Sequence, residues 1–129
     1  MHPMETLPLT GLYLLALGTL LGWPVALQHV APTALTRVGV RHPRRLLQMH
    51  LDYVLMGILL VAVGVALPGA PVWVVVPLVA GAVVNPLLFL PLAFREDAGA
   101  SLAYRVASTA SFLAMSIGAV GAAVHATVG

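Results

Sequence analysis

Four long apolar segments alternate with three short polar or turn-forming stretches along the chain. The apolar segments cover about residues 7–27, 46–67, 72–94 and 102–127, and they carry only two charged side chains, Asp52 and Arg105. Because a helix needs roughly 20 apolar residues to cross the hydrocarbon layer of a bilayer, each segment is long enough to be a membrane span. The pattern predicts an all-α fold in which residues 1–129 form a single transmembrane domain, an integral-membrane four-helix bundle.

Turn-forming and capping residues mark the boundaries between these segments. Pro43 suits the first turn of the second helix, and the Pro-Gly-Ala-Pro stretch at 68–71 predicts a tight turn before the third. Residues 28–45 and 95–99 are polar and are predicted as the first and third loops. Ser101 is placed to cap the start of the fourth helix. The boundaries therefore predict four spans that cross in alternating directions.

The composition excludes a domain whose whole surface faces water. Hydrophobic residues make up 60% of the chain and charged residues 8%, whereas soluble domains carry about 25% charged residues. The chain has no cysteine, which excludes disulfides, thiolate metal ligands, iron–sulfur clusters and covalently attached c-type haem. Despite the net charge of +2, nucleic acid is not an expected partner, because the few basic residues flank the apolar spans. Membrane lipid is the expected surrounding.

All the arginines fall on one side of the predicted bundle. They lie in the first loop, the third loop and the adjoining helix starts: Arg37, Arg41, Arg44, Arg45, Arg95 and Arg105. Because short loops rich in arginine stay in the cytoplasm, we expect a multi-pass protein of the cytoplasmic (inner) membrane with both termini outside. Residues 1–6 contain no Lys or Arg, so the first apolar segment is expected to be a retained span rather than a signal peptide.

Small residues recur at intervals of four on two of the spans, and such stripes mark helix contacts in lipid. The fourth span carries Ala110, Ala114, Gly118, Ala122 and Ala126, and the first carries Gly18, Gly22 and Ala26. Two interpretations stay open at this point. The stripes can pack helices within one bundle, or they can form the seam of a homo-oligomer.

His50 is the most informative polar residue within the spans. On a helix it shares a face with Leu46, Tyr53, Val54 and Gly57, so an imidazole stands in an apolar wall with a glycine beyond it. This arrangement suits a flat cofactor such as haem, with His50 as the metal ligand and with Tyr53 and Gly57 beside the ring. The alternative is a histidine that is hydrogen-bonded to a neighbouring helix or to lipid headgroups.

Two further polar residues lie inside spans. Asn85 sits near the centre of the third span, beside Pro86, and is expected either to hydrogen-bond a neighbouring helix or to donate to a bound ligand. Asp52 points about 200° away from His50 on the helix. We expect Asp52 to pair with an arginine at similar depth, such as Arg105, or to orient a partner of the site.

Residues 45–57, RLLQMHLDYVLMG, read together with residues 85–89, NPLLF, resemble the small four-helix membrane isomerases. These are the styrene oxide isomerases and the hydroxylaminobenzene mutases. Their second helix carries a histidine followed six and seven residues later by Asn-Gly. Their third helix carries an asparagine, and in the epoxide isomerases a tyrosine follows it by four residues. The resemblance covers the four-span layout and about half of the chain in detail.

The resemblance implies haem b, a trimeric assembly with haem between neighbouring subunits, and ferric iron acting as a Lewis acid on an epoxide oxygen. His50 corresponds to the axial ligand, Gly57 to the close-approach glycine and Asn85 to the helix-three asparagine, for which a catalytic role is expected. Two positions depart from the family pattern, because Met56 replaces the asparagine and Phe89 replaces the tyrosine. Both changes remove hydrogen-bonding groups from the implied substrate pocket of Met56, Asn85 and Phe89.

The function predicted on this basis is a haem b-dependent isomerase or mutase that rearranges a small lipophilic, epoxide-like or hydroxylamine-like substrate. Two alternatives stay open. One is a non-catalytic b-type haem protein in which a second histidine, such as His29, completes the coordination. The other is an accessory membrane protein in which His50, Asp52 and Asn85 hold helices together.

Overall fold

The computed structural model describes residues 5–129, and within this range the chain forms helices and turns and no strand. The expectation that the first segment is a retained span rests partly on residues 1–4, which lie outside the described residues. The helices are α1 (Thr6–Val30), α2 (Pro32–Arg37), α3 (Pro43–Ala66), α4 (Val72–Leu87), α5 (Phe89–Phe94), a 3-10 helix (Glu96–Ala100) and α6 (Leu102–Val128). The predicted all-helical fold is confirmed.

Four helical stretches are long and apolar enough to cross a membrane. They are α1, α3, α4 together with α5, and α6, and they contain 25, 24, 23 and 27 residues. Large apolar side chains stand exposed along them, including Leu20, Leu55, Val76 and Ile117. Such surfaces are unfavourable in water and favourable in lipid. The four helices indicate a multi-pass membrane protein and are consistent with a helical bundle, as predicted from the sequence.

The first connection is more structured than the loop that the sequence predicts. α1 continues to Val30, and α2 follows with Pro32 in its first turn, where the missing N–H costs nothing. Leu35 and Val40 are buried. The backbone N–H groups of Arg41 and His42 both donate to the carbonyl oxygen of Ala93, each at 2.9 Å. The prediction of a plain loop over residues 28–45 is therefore wrong, because apolar contacts fold this connection onto the bundle.

The turn and the cap at the other boundaries form as the sequence predicts. The hydroxyl of Ser101 accepts a hydrogen bond from the backbone N–H of Tyr104 at 3.1 Å, so Ser101 caps α6. Gly69 has a φ of +72° in the turn between α3 and α4, a conformation that favours glycine. Its N–H donates to the carboxylate of Glu5 at 2.9 Å, which ties this turn to the residue that precedes α1.

Glycines let α1 and α3 approach each other closely. A Cβ atom built on Gly57 would lie 2.7 Å from Leu15 Cγ and 2.8 Å from the carbonyl oxygen of Gly11. A Cβ on Gly64 would lie 2.5 Å from the ring of Pro8. Because apolar side chains gain little by leaving lipid, helices in a membrane associate through such close backbone packing. α1 and α3 therefore form the most extensive helix pair of the fold.

α4 and α6 form a second pair by the same means. A Cβ on Gly118 would lie 2.6 Å from Leu78 Cγ, and one on Gly81 would lie 2.9 Å from Met115 Cβ. In the small-residue stripe on α6, Gly118 and Ala122 are buried within the chain, while Ala110 and Ala126 are exposed. The centre of the stripe therefore packs inside the bundle, and its ends lie on the surface. α3 joins the two pairs through contacts with α4 and α5.

The third span is broken rather than continuous. α4 ends at Leu87 and α5 begins at Phe89, between prolines 86 and 91. Proline lacks the N–H that a helix interior needs, so an interruption is expected here. The hydroxyl of Tyr53 donates to the carbonyl oxygen of Val83, and that of Tyr104 donates to the carbonyl oxygen of Leu88, both at 2.8 Å. Side chains of α3 and α6 thus bond to the backbone just before the break and at Leu88, the residue between α4 and α5.

Candidate functional site

His50 lies on α3 and is oriented by the backbone of α1. Its Nδ1 atom lies 2.5 Å from the carbonyl oxygen of Gly18. A carbonyl oxygen can only accept a hydrogen bond, so Nδ1 is the donor and carries a proton. In the neutral ring the lone pair is then on Nε2. A backbone carbonyl on one ring nitrogen is the usual arrangement that prepares the other nitrogen to bind a metal.

Gly22 lies directly beside the imidazole. A Cβ atom built there would be 3.4 Å from Cε1 and 3.9 Å from Nε2 of His50. No side chain of residue 22 covers this part of the ring, and His50 is half-buried. The ring is therefore held against α1 without being enclosed by it. Nε2 has no hydrogen-bond partner among the described residues and is not fully buried.

A cavity of about 430 Å³ lies between α1 and α3, on the side of the arginines. Its lining residues are Val25, Gln28, His29, Pro43, Arg44 and Leu47. Val25 follows Gly22 by three residues on α1, and Leu47 precedes His50 by three residues on α3. Three residues are about one helical turn. This cavity, called the groove below, therefore begins one turn from His50. His29, the predicted second histidine, is one of its lining residues.

Tyr53 and Gly57, which the sequence predicts beside a cofactor, both contact protein. Tyr53 is 3% exposed, and its hydroxyl bonds to Val83 on α4. The room that Gly57 leaves is filled by Leu15 and the backbone of α1. In this chain the two residues pack helices together on either side of α3.

The predicted substrate residues lie towards the other half of the bundle. The hydroxyl of Ser111, a buried residue on α6, donates to Oδ1 of Asn85. This is the interhelical bond that was one of the two expectations for Asn85. Met56 and Phe89 are half-buried and pack against the core. Within residues 5–129 no hydrogen bond joins Asn85 to His50, because their partners are on α6 and α1 respectively.

The expected pairing of Asp52 with Arg105 is wrong. Asp52 is half-buried on α3 and has neither an ion pair nor a side-chain hydrogen bond among the described residues. Arg105 is exposed on α6 beside Val106, Thr109 and Leu113. The reason is topological, because α6 packs mainly against α4 and not against α3.

The described part of the chain contains no cluster of three or more His, Asp or Glu side chains that is suited to a metal ion. A metal that is bound by a single protein side chain must bring its other ligands with it. Iron in a porphyrin meets this condition.

A second cavity, at the arginine-bearing end of α3, was not recognised from the sequence. It measures about 460 Å³ and is lined by Arg41, His42, Pro43, Arg44, Arg45, Gln48 and Glu96. Arg45 donates from Nη1 to Oε1 of Gln48 at 3.0 Å. The spacing of Arg45 and Gln48, three residues apart on one helix, was the signal that could have revealed this contact.

Comparison of the chain with models of protein families, with curated proteins and with solved structures finds no match. The likeness of residues 45–57 and 85–89 to the membrane isomerases therefore stays a prediction.

Proposed function

We propose that this protein binds haem b through Nε2 of His50 and acts as a membrane isomerase or mutase on a small lipophilic substrate. The observation that carries the proposal is the hydrogen bond between Nδ1 of His50 and the Gly18 carbonyl. That bond selects the tautomer in which Nε2 is the ligand atom, and it fixes the orientation of the ring.

The residues around His50 suit such a group. Gly22 places no side chain against the Cε1 edge of the ring, which lies between the two nitrogens, and the adjoining groove has apolar walls in Val25 and Leu47. Ferric haem, when bound, supplies a Lewis acid for an epoxide-like oxygen or a hydroxylamine-like group. The chain itself holds the ring of His50 in one orientation and keeps water away from the site through its apolar helices. No general base is required of the few ionisable residues.

Asn85 has the role of orienting the substrate, and Met56 and Phe89 provide apolar pocket walls. Asn85 and His50 have their partners on different helices of one chain, and the resemblance implies haem between neighbouring subunits. The proposal therefore includes a homo-oligomer, a trimer by resemblance. The exposed ends of the α6 stripe, Ala110 and Ala126, offer close contact to another copy.

We also propose insertion in the cytoplasmic (inner) membrane with the arginine-bearing loops in the cytoplasm and both ends of the chain outside. All six arginines support this orientation. Because the chain has no cysteine, single cysteines at Ala100 and Thr127 report the two faces without background. A membrane-impermeant maleimide added to intact cells should label Thr127→Cys and leave Ala100→Cys unlabelled. The reverse labelling would disprove the orientation.

The haem proposal is tested by the absorption spectrum of the protein purified in mild detergent and reconstituted with haemin. We expect a Soret band at about one haem per chain and its loss in His50→Ala. His125→Ala is the matched control, since this histidine lies at the opposite end of the bundle, beside Trp73. A Soret band that persists in His50→Ala would overturn the assignment. Absence of haem binding, with loss of helix assembly in His50→Ala, would instead identify an accessory protein.

A non-catalytic b-type haem protein is the second candidate. The observation that favours it is that His29 lines the groove that begins one turn from His50. In that case the ferric spectrum is low-spin, does not respond to added cyanide, and becomes high-spin in His29→Ala. A spectrum that is high-spin at the start and shifts with added ligand supports the isomerase. Conversion of styrene oxide or phenylhydroxylamine by the haem-loaded protein then tests the chemistry.

A further inference from the structure

The cavity at the start of α3 holds an unbalanced set of charges. Three arginines line it, Arg41, Arg44 and Arg45, against one carboxylate, that of Glu96. Glu96 lies 4.0 Å from Nε2 of His42, which lines the same cavity. Within residues 5–129 none of the three guanidinium groups has a carboxylate within 4.0 Å. The cavity therefore concentrates positive charge that the chain does not neutralise locally.

The other acidic side chains of the chain lie elsewhere and do not neutralise these arginines. The chain's four acidic residues are Glu5, Asp52, Glu96 and Asp97. Asp97 pairs with Arg95 at 3.1 Å, and Glu5 bonds to Gly69 in the turn at the far end of α3. Asp52 lies inside α3. Among the described residues no carboxylate is therefore left to pair with the three arginines, of which Arg41 and Arg44 are exposed.

The position of the arginines increases their need for an anion. α3 begins at Pro43 and its N-cap, His42, makes no side-chain capping bond. Arg44 and Arg45 occupy the first turn, where the helix dipole is positive and disfavours cations. A phosphate in the cavity would offset both the mutual repulsion of the arginines and their repulsion from the helix end.

The cavity is also partly preorganised. Gln48 holds the guanidinium of Arg45 through the 3.0 Å hydrogen bond. The backbone on the other side is fixed, since Arg41 and His42 both donate to Ala93 at the end of α5. These residues lie where α3 begins and the third candidate span ends. In a membrane this is the depth of the lipid headgroups.

We infer that this cavity binds the phosphate headgroup of an anionic phospholipid. Guanidinium groups bind phosphate oxygens in pairs, and basic pockets at the ends of membrane helices recognise anionic headgroups. The inference depends on membrane insertion and not on haem, because the cavity contains neither His50 nor Gly22. Arg44 also lines the groove between α1 and α3. The variants that test the lipid site are therefore made at Arg41 and Arg45.

The test is native mass spectrometry of the full-length protein in mild detergent, titrated with phosphatidylglycerol, phosphatidylcholine or inorganic phosphate. We expect phosphatidylglycerol to bind at least tenfold more tightly than phosphatidylcholine. Arg41→Gln and Arg45→Gln should each weaken it about fivefold. Arg37→Gln is the matched control, since it removes the same charge from α2 outside the cavity. Glu96→Gln removes the one lining carboxylate and should tighten binding severalfold.

Equal affinities for phosphatidylglycerol and phosphatidylcholine would overturn the inference, as would an Arg37→Gln effect as large as that of Arg41→Gln. Inorganic phosphate binding as tightly as phosphatidylglycerol would also overturn it, in favour of a free-phosphate site. His50→Ala should bind phosphatidylglycerol normally, so failure of the haem proposal and failure of the lipid site give different results. Circular dichroism confirms that each variant keeps its helices.

Discussion

The imidazole of His50 on α3 donates a hydrogen bond from Nδ1 to the backbone carbonyl of Gly18 on α1 at 2.5 Å. Within a helix this carbonyl already accepts from the N–H four residues on, so the bond to His50 uses its second lone pair. The histidine is thereby oriented without an acidic partner. Gly22, one turn further along α1, places no side chain against the Cε1 edge of the ring. The two glycines thus have separate roles, because one orients the ring and the other exposes it.

Substitution of Gly22 tests whether access to Nε2 matters. A Cβ atom here would lie 3.4 Å from the ring, which is tight but tolerable contact. We therefore expect Gly22→Ala to weaken haem binding modestly and Gly22→Leu to reduce it at least tenfold, because a leucine side chain covers Nε2. The measurement is Soret absorbance per mole of protein during a haemin titration.

Ala26→Leu is the control for Gly22→Leu, since Ala26 lies one turn further along α1 and is exposed. If His50 holds haem as proposed, Ala26→Leu should leave the affinity for haem unchanged. If Gly22→Leu also binds haem normally while His50→Ala does not, the ligand approaches the ring from a different side than the structure indicates.

Gly57→Ala separates a packing role from a cofactor role. A Cβ atom would overlap Leu15 and the Gly11 carbonyl at 2.7 and 2.8 Å, and one of these contacts is backbone. Overpacking of this kind costs about 1–3 kcal/mol, so we expect the haem-free protein to unfold more readily in a denaturing-detergent titration. Ala62→Val adds bulk to an exposed position on the same helix and should have little effect. An unchanged stability of haem-free Gly57→Ala would favour the cofactor role.

The long helices could be predicted from sequence because their signals are local. Runs of about twenty apolar residues, the Pro-Gly turn and the Ser101 cap require no knowledge of neighbours, and all appear in the structure. α2 was missed because its formation depends on Leu35 and Val40 reaching the core, a tertiary event. Pro86 and Pro91 indicate an interruption in the third span, because each removes a backbone N–H from the helix, which is also a local effect.

The contacts of the candidate site were harder to predict because they depend on which helices are neighbours. His50 meets Gly18, and Gly57 meets Gly11, because α1 packs along α3. A readable signal was present, since Gly11 and Gly18 on α1 and Gly57 and Gly64 on α3 are each seven residues apart. That spacing is typical of helices packed at a shallow angle. For Asp52 a contact was predicted that does not form. A similar depth in the membrane does not bring Asp52 and Arg105 together, because α6 packs mainly against α4.

Asp52→Asn should stabilise the protein. The carboxylate has no partner in the described part of the chain, and a charged group within a span has an unfavourable free energy of insertion. The gain should not exceed about 2.5 kcal/mol, the cost of aspartate at the centre of a span, because Asp52 is nearer the helix start. A denaturing-detergent titration measures it. A clear loss of stability would show that Asp52 has a partner, such as a second copy of the chain.

The ion pair between Arg95 and Asp97 predicts a pH effect at the arginine-bearing end. Arg95 lowers the pKa of Asp97 below its ordinary 3.8, first through hydrogen bonds of 3.2 and 3.1 Å and then through its charge. A lowered pKa in the folded state means that the pair contributes stability above 3.8 and loses it as the pH falls through the folded value. Because both side chains are exposed, the difference in the free energy of unfolding between the unmodified protein and Asp97→Asn should be small. This difference should shrink below pH 3.8 and in high salt. A difference that grows on acidification would mean that Asp97 is stabilised in its protonated form, which the two hydrogen bonds from Arg95 argue against.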